Sequence, residues 1–282
     1  MPGLFVFLWS TDFIGAKLGL PHAPPLTFLA LRFALVAALL VAVALVARAP
    51  WPRSAVEVRH YAAAGLLVHG LYLGGVFVGI SLGVEAGVSA LIVGVQPLLV
   101  AALAGLTLGE RVTARQWSGL ALGLVGVALI LARKLGHGLD DALGVLACVA
   151  ALVGITAGTL YQKRHCAGMD LRTGNVVQFG ASAVATGLLA LVFEDVRDVA
   201  WTGEFVFALA WLVFVLSLGA ISLLYLLIRR GAASRVSSLF FLVPPCTALV
   251  AWPLFGERLG PVELAGMACA AGGVALASRV AR

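Results

Sequence analysis

Charge is what this sequence has least of: Asp, Glu, Lys and Arg make up 11% of its 282 residues, against 62% hydrophobic residues and a mean hydropathy of +1.07. Soluble domains carry roughly 25% charged residues, so a water-soluble fold is excluded and a polytopic membrane protein is expected. Ordered cysteine chemistry is also lacking. Cys148, Cys166, Cys246 and Cys269 are scattered, with no CxxC pair and no histidine at ligand spacing, so neither a zinc site nor a disulfide framework is indicated. No GxxxxGK[ST] phosphate loop is present, which removes the usual signature of ATP-driven transport. The first segment has neither a basic leader nor a small-residue cleavage site after its apolar run, and it is read as a retained helix.

What is there is a succession of apolar stretches of membrane-spanning length, about 20 residues each. Breaks at Pro, Gly and charge clusters predict spans at 3–20, 25–47, 61–82, 86–108, 116–132, 142–162, 173–193, 205–228, 236–255 and 260–278. With the N-terminus cytoplasmic, Arg48, Arg53, Arg59, Arg111, Arg115, Lys163, Arg164, Arg172, Arg229, Arg230, Arg235, Arg279 and Arg282 fall inside. Only Arg133, Lys134, Arg197 and Arg258 fall outside. The positive-inside rule therefore predicts an inner (plasma) membrane protein with both termini cytoplasmic, and the net charge of +6 is read as loop charge, not as a nucleic-acid surface.

The strongest pattern is internal. The stretch PLLVAALAGLTLGERVTARQWSGLALGLVGVAL from Pro97 returns as PPCTALVAWPLFGERLGPVELAGMACAAGGVAL from Pro244, a shift of 147 residues with about a dozen identities and no gap. The expected organisation is residues 1–135 as a first repeat and 136–282 as a second. Each holds five helices, an odd number, so the second copy enters the membrane inverted. Two inverted five-helix repeats around a shared midplane site are a hallmark of secondary transporters.

The motifs WSTDFIGAKLGL, PPLTFLALRF, GVEAGVSALIVGVQPLL and LGERVTARQWSGLALGLVGVALIL resemble those of the EamA family of the drug/metabolite transporter superfamily. The resemblance covers nearly the whole chain, the sixth to eighth helices more loosely. It implies a ten-helix, cofactor-free permease of the inner membrane, usually exporting amino acids, drugs or other small metabolites. Ser10 replaces the usual glycine after Trp9, and Asp12 stands where a neutral Asn or small polar residue is common.

Ionisable groups at membrane depth mark functional sites. Asp12 lies roughly 13 Å and Arg32 roughly 10 Å below the turn at PHAPP, so Arg32 on the second helix is placed to reach the Asp12 carboxylate. Asp12 and Lys17 are five residues apart and do not face each other along a helix; Lys17 is read as an outer-end group. A carboxylate at the depth of Asp12 is paired, hydrated or protonated, which makes it the candidate for proton coupling. His69, with Tyr72 on the same face one turn on, is the other deep titratable group; it either hydrogen-bonds a neighbouring carbonyl, or contacts an amphipathic ligand or accepts a proton. Pro97 and the pair Pro244-Pro245 are expected to break the fourth and ninth helices near their middles and to free the carbonyls of Val93 and Phe240 toward a cavity. Gln96, Thr159, Tyr161, Gln178 and Ser238 complete the substrate-pathway candidates. Glycines of the fifth and tenth helices suit either packing within one chain or a homodimer face.

The expectation is a non-enzymatic exporter of amino acids or other small metabolites, with a small-molecule substrate, the lipid bilayer and protons as partners and no cofactor or metal. A nucleotide-sugar or phosphorylated-metabolite antiporter is the alternative, and it requires two or more buried cations facing the cavity. A non-transport membrane scaffold is a further one.

Overall fold

The computed structural model describes residues 2–100, 103, 113–134, 139–220, 223, 242–257 and 260–278. The described residues contain no strand. Among the described residues, six helices are long and apolar enough to cross a membrane: α1 over Pro2–Gly19, α2 over Pro25–Val46, α3 over Ala55–Ser81, α6 over Leu139–His165, α7 over Leu171–Phe193 and α8 over Gly203–Ala220. Four further helices lie among the described residues: α4 over Ala86–Val93, α5 over Ala114–Lys134, α9 over Val243–Phe255 and α10 over Pro261–Ser278.

The apolar surface is turned outward as much as inward, as a lipid-immersed bundle requires. Val46 is 88% exposed and Phe193 74%, while Phe5, Phe13, Phe28, Phe33, Phe77, Phe179 and Phe205 are essentially fully buried. Phe28 ties three helices together, with its ring 5.3 Å from Phe77 and 5.0 Å from Phe205. Close approach between α3 and α6 depends on small residues. A Cβ on Gly75 would meet the Ala147 carbonyl, and one on Gly79 would lie 2.5 Å from Cys148 Sγ.

The helix pairings follow a pattern. α2 runs along α7, α5 along α10 and α4 along α9, while α3 packs on α6 as α8 packs on α1. Gly119 and Gly126 of α5 and Gly266 and Gly273 of α10 are buried where these two helices pack together.

Two boundaries differ from expectation. α3 begins at Ala55, not at 61, because Ser54 caps it: the Ser54 side chain accepts from Glu57 N–H, and the Glu57 carboxylate reaches back to accept from Arg53 N–H, one residue before the cap, at 2.8 Å. That cap carries Glu57, Arg59 and His60 into the helix. The fourth helix is interrupted at Gly94–Val95, and Pro97 stands in the first turn of the helical stretch that resumes over 96–100. Pro244 and Pro245 likewise occupy the first turn of α9, where the missing N–H costs nothing. Gly94 lies against Pro244, since a Cβ there would come within 2.9 Å of Pro244 Cγ. Phe240, Ser237, Ser238 and the Gly109-Glu110-Arg111 copy of the repeat motif lie outside the described residues.

Candidate functional site

α1 holds its polar run by bonding back along its own turn: Ser10 Oγ donates to the Val6 carbonyl at 2.7 Å and Thr11 Oγ1 to the Leu8 carbonyl at 2.6 Å. Asp12 has no such outlet. Its Oδ1 lies 2.8 Å from Arg32 Nη2, with both side chains less than a tenth exposed. The contact is an ion pair without the alignment of a hydrogen bond, since Oδ1 has no hydrogen-bond partner among the described residues. The same Nη2 also donates to Ser217 Oγ of α8 at 3.4 Å. Arg32 Nε and Nη1 have no partner among the described residues, and neither does His69 Nε2.

These residues line one cavity of about 160 Å³, together with Trp9, Tyr72, Ile155, Gln178, Phe179 and Leu216 among others. Its wall is mostly apolar. His69 lies face to face with Phe179, ring centroids 4.0 Å apart and planes 20° apart, and 6.0 Å from Phe33. Two of the helices that line the cavity are locally underwound to π geometry, α3 over Leu66–Leu71 and α8 over Trp211–Ala220. Such segments turn side chains off the ordinary helical register. Ser217 shows it directly, donating to the carbonyl of Leu212 five residues back.

The structure thus brings Asp12, Arg32, His69, Tyr72 and Gln178 together. Arg32 is the one Lys or Arg among the residues lining this cavity. The remaining candidates stand elsewhere. Gln96 Nε2 donates to Thr159 Oγ1 at 3.2 Å, and Thr159 Oγ1 donates to Ile155 O, a polar contact between the fourth helix and α6 that uses both groups. Tyr161 bonds to His60 Nδ1 at 2.8 Å and lines a separate cavity with Leu99, Arg164 and His165. Pro97, Pro244 and Pro245 are not among the residues lining the central cavity. Residue depth alone does not separate the faces of one helix, and Thr159 and Tyr161 share the depth of the site but not its face.

Ser217, Asn175 and Gln162 were not anticipated. Ser217 sits in a uniformly apolar stretch, and only the π geometry aims it at Arg32. Trp9 was noticed for its motif alone.

Lys17 has a partner that sequence distance conceals. Its ammonium pairs with the buried Glu257 carboxylate and sits 5.3 Å from the Phe255 ring centre. Glu257 also accepts from Ala86 N–H at 2.9 Å and Gly87 N–H at 3.5 Å, capping the N-terminus of α4. A second carboxylate repeats the device: Glu194, following α7, accepts from Leu26 N–H, Thr27 N–H and Thr27 Oγ1, each at 2.8 Å, at the start of α2. Carboxylates from the second half of the chain therefore close the end of the bundle opposite the basic loops.

Comparison with known proteins is consistent with this geometry. The profile of the EamA-like transporter family matches residues 4–132 and again 142–279. A protein named "Uncharacterized transporter YvbV" from Bacillus subtilis (strain 168) is 30% identical over 269 residues, 93% of this chain and 85% of its own. A "Probable amino-acid metabolite efflux pump" from Escherichia coli (strain K12) is 27% identical over 274 residues, 93% of this chain and 88% of its own. One solved structure superposes with a TM-score of 0.66 at 23% identity, over 98% of this chain and 94% of that one, a likeness of fold.

Proposed function

The chain belongs to the EamA-like transporter family, and we propose that it is a secondary transporter exporting amino acids or other small metabolites across the inner membrane by alternating access of two inverted five-helix halves. The observation that carries this reading is the buried Asp12–Arg32 pair on the wall of an apolar cavity built from both halves. The relatives' names support export and amino-acid metabolites. Three features support the inverted halves. The family profile matches twice. The helix pairings are matched across the two halves. The π segment at 66–71, shifted by the repeat distance of 147, falls on 213–218 inside the π segment of α8.

In this reading the end carrying Lys17 and Glu257 is external and shut, and export opens it by parting Glu257 from Lys17 and from α4. Both termini are cytoplasmic, and Asp12 is the group through which a proton gradient would act. A phosphate-bearing substrate is disfavoured, because Arg32 is the one Lys or Arg on the cavity among the described residues and Asp12 already neutralises it.

The test is flux in proteoliposomes, with and without a pH gradient, using labelled amino acids, nucleotide sugars and cationic drugs. Saturable amino-acid flux is expected. Flux of nucleotide sugars alone, or none for any class, overturns the reading.

A further inference from the structure

Resting on that reading of the site, we propose that Asp12 and Arg32 recognise the two ends of a zwitterionic α-amino acid with an apolar side chain no larger than leucine's. Arg32 takes the carboxylate, Asp12 takes the ammonium, and the aromatic and aliphatic wall takes the side chain.

Charge balance carries the first part. The pair is neutral as a unit and buried, so a ligand of net charge would leave one charge unpaired in a medium that penalises it heavily. A zwitterion adds no net charge and offers each member of the pair an opposite partner. Hydrogen bonding carries the second part. Arg32 is 3% exposed, yet its Nε and Nη1 have no partner among the described residues, and Asp12 Oδ1 has only its ion pair. Buried donors without acceptors are rare in folded proteins, and each calls for an explanation. A carboxylate is the acceptor a guanidinium suits best, and a small swing of the guanidinium into the cavity presents either nitrogen.

Size and surface carry the third part. A cavity of about 160 Å³ matches the roughly 150 Å³ that in a protein interior accommodates a benzene-sized guest. Leu73, Ile155, Phe179 and Leu216 line it, and among the described residues that line it Asp12 and Arg32 are the only Asp, Glu, Lys or Arg.

The test is counterflow of labelled leucine in proteoliposomes of the full chain, competed by unlabelled compounds. Valine, isoleucine and leucine are expected to compete alike. Isoamylamine, which lacks the carboxylate, 4-methylpentanoate, which lacks the amine, and lysine and glutamate are expected to be at least tenfold weaker. Isoamylamine or 4-methylpentanoate competing within threefold of leucine overturns the two-ended recognition while leaving amino-acid transport standing. Absence of leucine counterflow together with flux of another class overturns both. As a check that does not depend on competitors, the double variant Asp12→Asn/Arg32→Gln is expected to raise the leucine KM at least tenfold with a melting temperature within a few degrees of the parent. An unchanged KM at any melting temperature overturns the assignment.

Discussion

In the proposed orientation, removing the Glu257 carboxylate is expected to open the external end of the transporter. In the closed form that carboxylate holds the Lys17 ammonium and accepts from Ala86 N–H at 2.9 Å and Gly87 N–H at 3.5 Å. Loss of an N-terminal cap costs about 1 kcal/mol. A hydrogen bond to a charged group is worth about 1.5–3 kcal/mol. Lys17 is 29% exposed in its side chain, so its attraction contributes about 1 kcal/mol or less. Because these terms overlap, Glu257→Ala is expected to weaken the closed state by about 2–3 kcal/mol, and 2 kcal/mol corresponds to a roughly 30-fold shift in the equilibrium. The assay places a cysteine at Leu73, on the cavity wall, in a background without Cys148, Cys166, Cys246 and Cys269. Its labelling by a membrane-impermeant maleimide is then timed from the external side of oriented vesicles. Glu257→Ala is expected to speed labelling at least tenfold, with Glu257→Gln in between. Equal rates in parent and both variants would refute the role assigned to this contact.

Arg32→Met leaves the Asp12 carboxylate buried alone and is expected to cost about 3–5 kcal/mol, whereas Asp12→Asn/Arg32→Gln costs far less; melting curves in detergent distinguish them, and equal losses would refute the pairing. Gly75→Ala drives a methyl into the Ala147 carbonyl, while Gly74→Ala meets nothing within 4 Å. The first is expected to destabilise by about 1–3 kcal/mol and the second to be neutral or slightly stabilising, again by melting temperature. Asp170 caps α7 through Arg172 N–H and Thr173 N–H, so Asp170→Ala is expected to cost about 1 kcal/mol. Its hydrogen bond from the Arg172 guanidinium holds the Asp170 carboxyl down to about 2. Its stabilisation is therefore complete above the ordinary carboxylate range and is lost as pH falls through about 2. The difference in melting temperature between parent and Asp170→Ala is expected to be constant from pH 7 to 5 and to shrink toward pH 2.

The pairing of Asp12 with Arg32 was legible because a short hairpin fixes relative depth: counting residues down from the PHAPP turn puts the two groups within roughly 3 Å of one depth, inside the reach of an Arg side chain. The pairing of Lys17 with Glu257 was not, since the two are separated by 240 residues and nothing local marks Glu257 as the cap of another helix. Direction along a helix proved harder than depth. Tyr72 and His69 reach the cavity, with π geometry at Leu66–Leu71 displacing their register, whereas Thr159 and Tyr161 at suitable depth face other neighbours. The α3 boundary was misplaced because charged residues were read as loop, when Ser54 is a cap. Ser217 carries no signal in sequence at all; a lone serine in an apolar helix gains meaning only from the side chain it meets.

In the proposed site one amino acid sits between the halves with its carboxylate on Arg32. A structure determined with bound leucine tests this most directly. Density is expected in the cavity lined by Trp9, His69 and Phe179, with the carboxylate within hydrogen-bond distance of Arg32 and the ammonium facing Asp12. Leucine bound elsewhere, or bound there with an unbroken Asp12–Arg32 contact and its charged ends directed away from both, would contradict it.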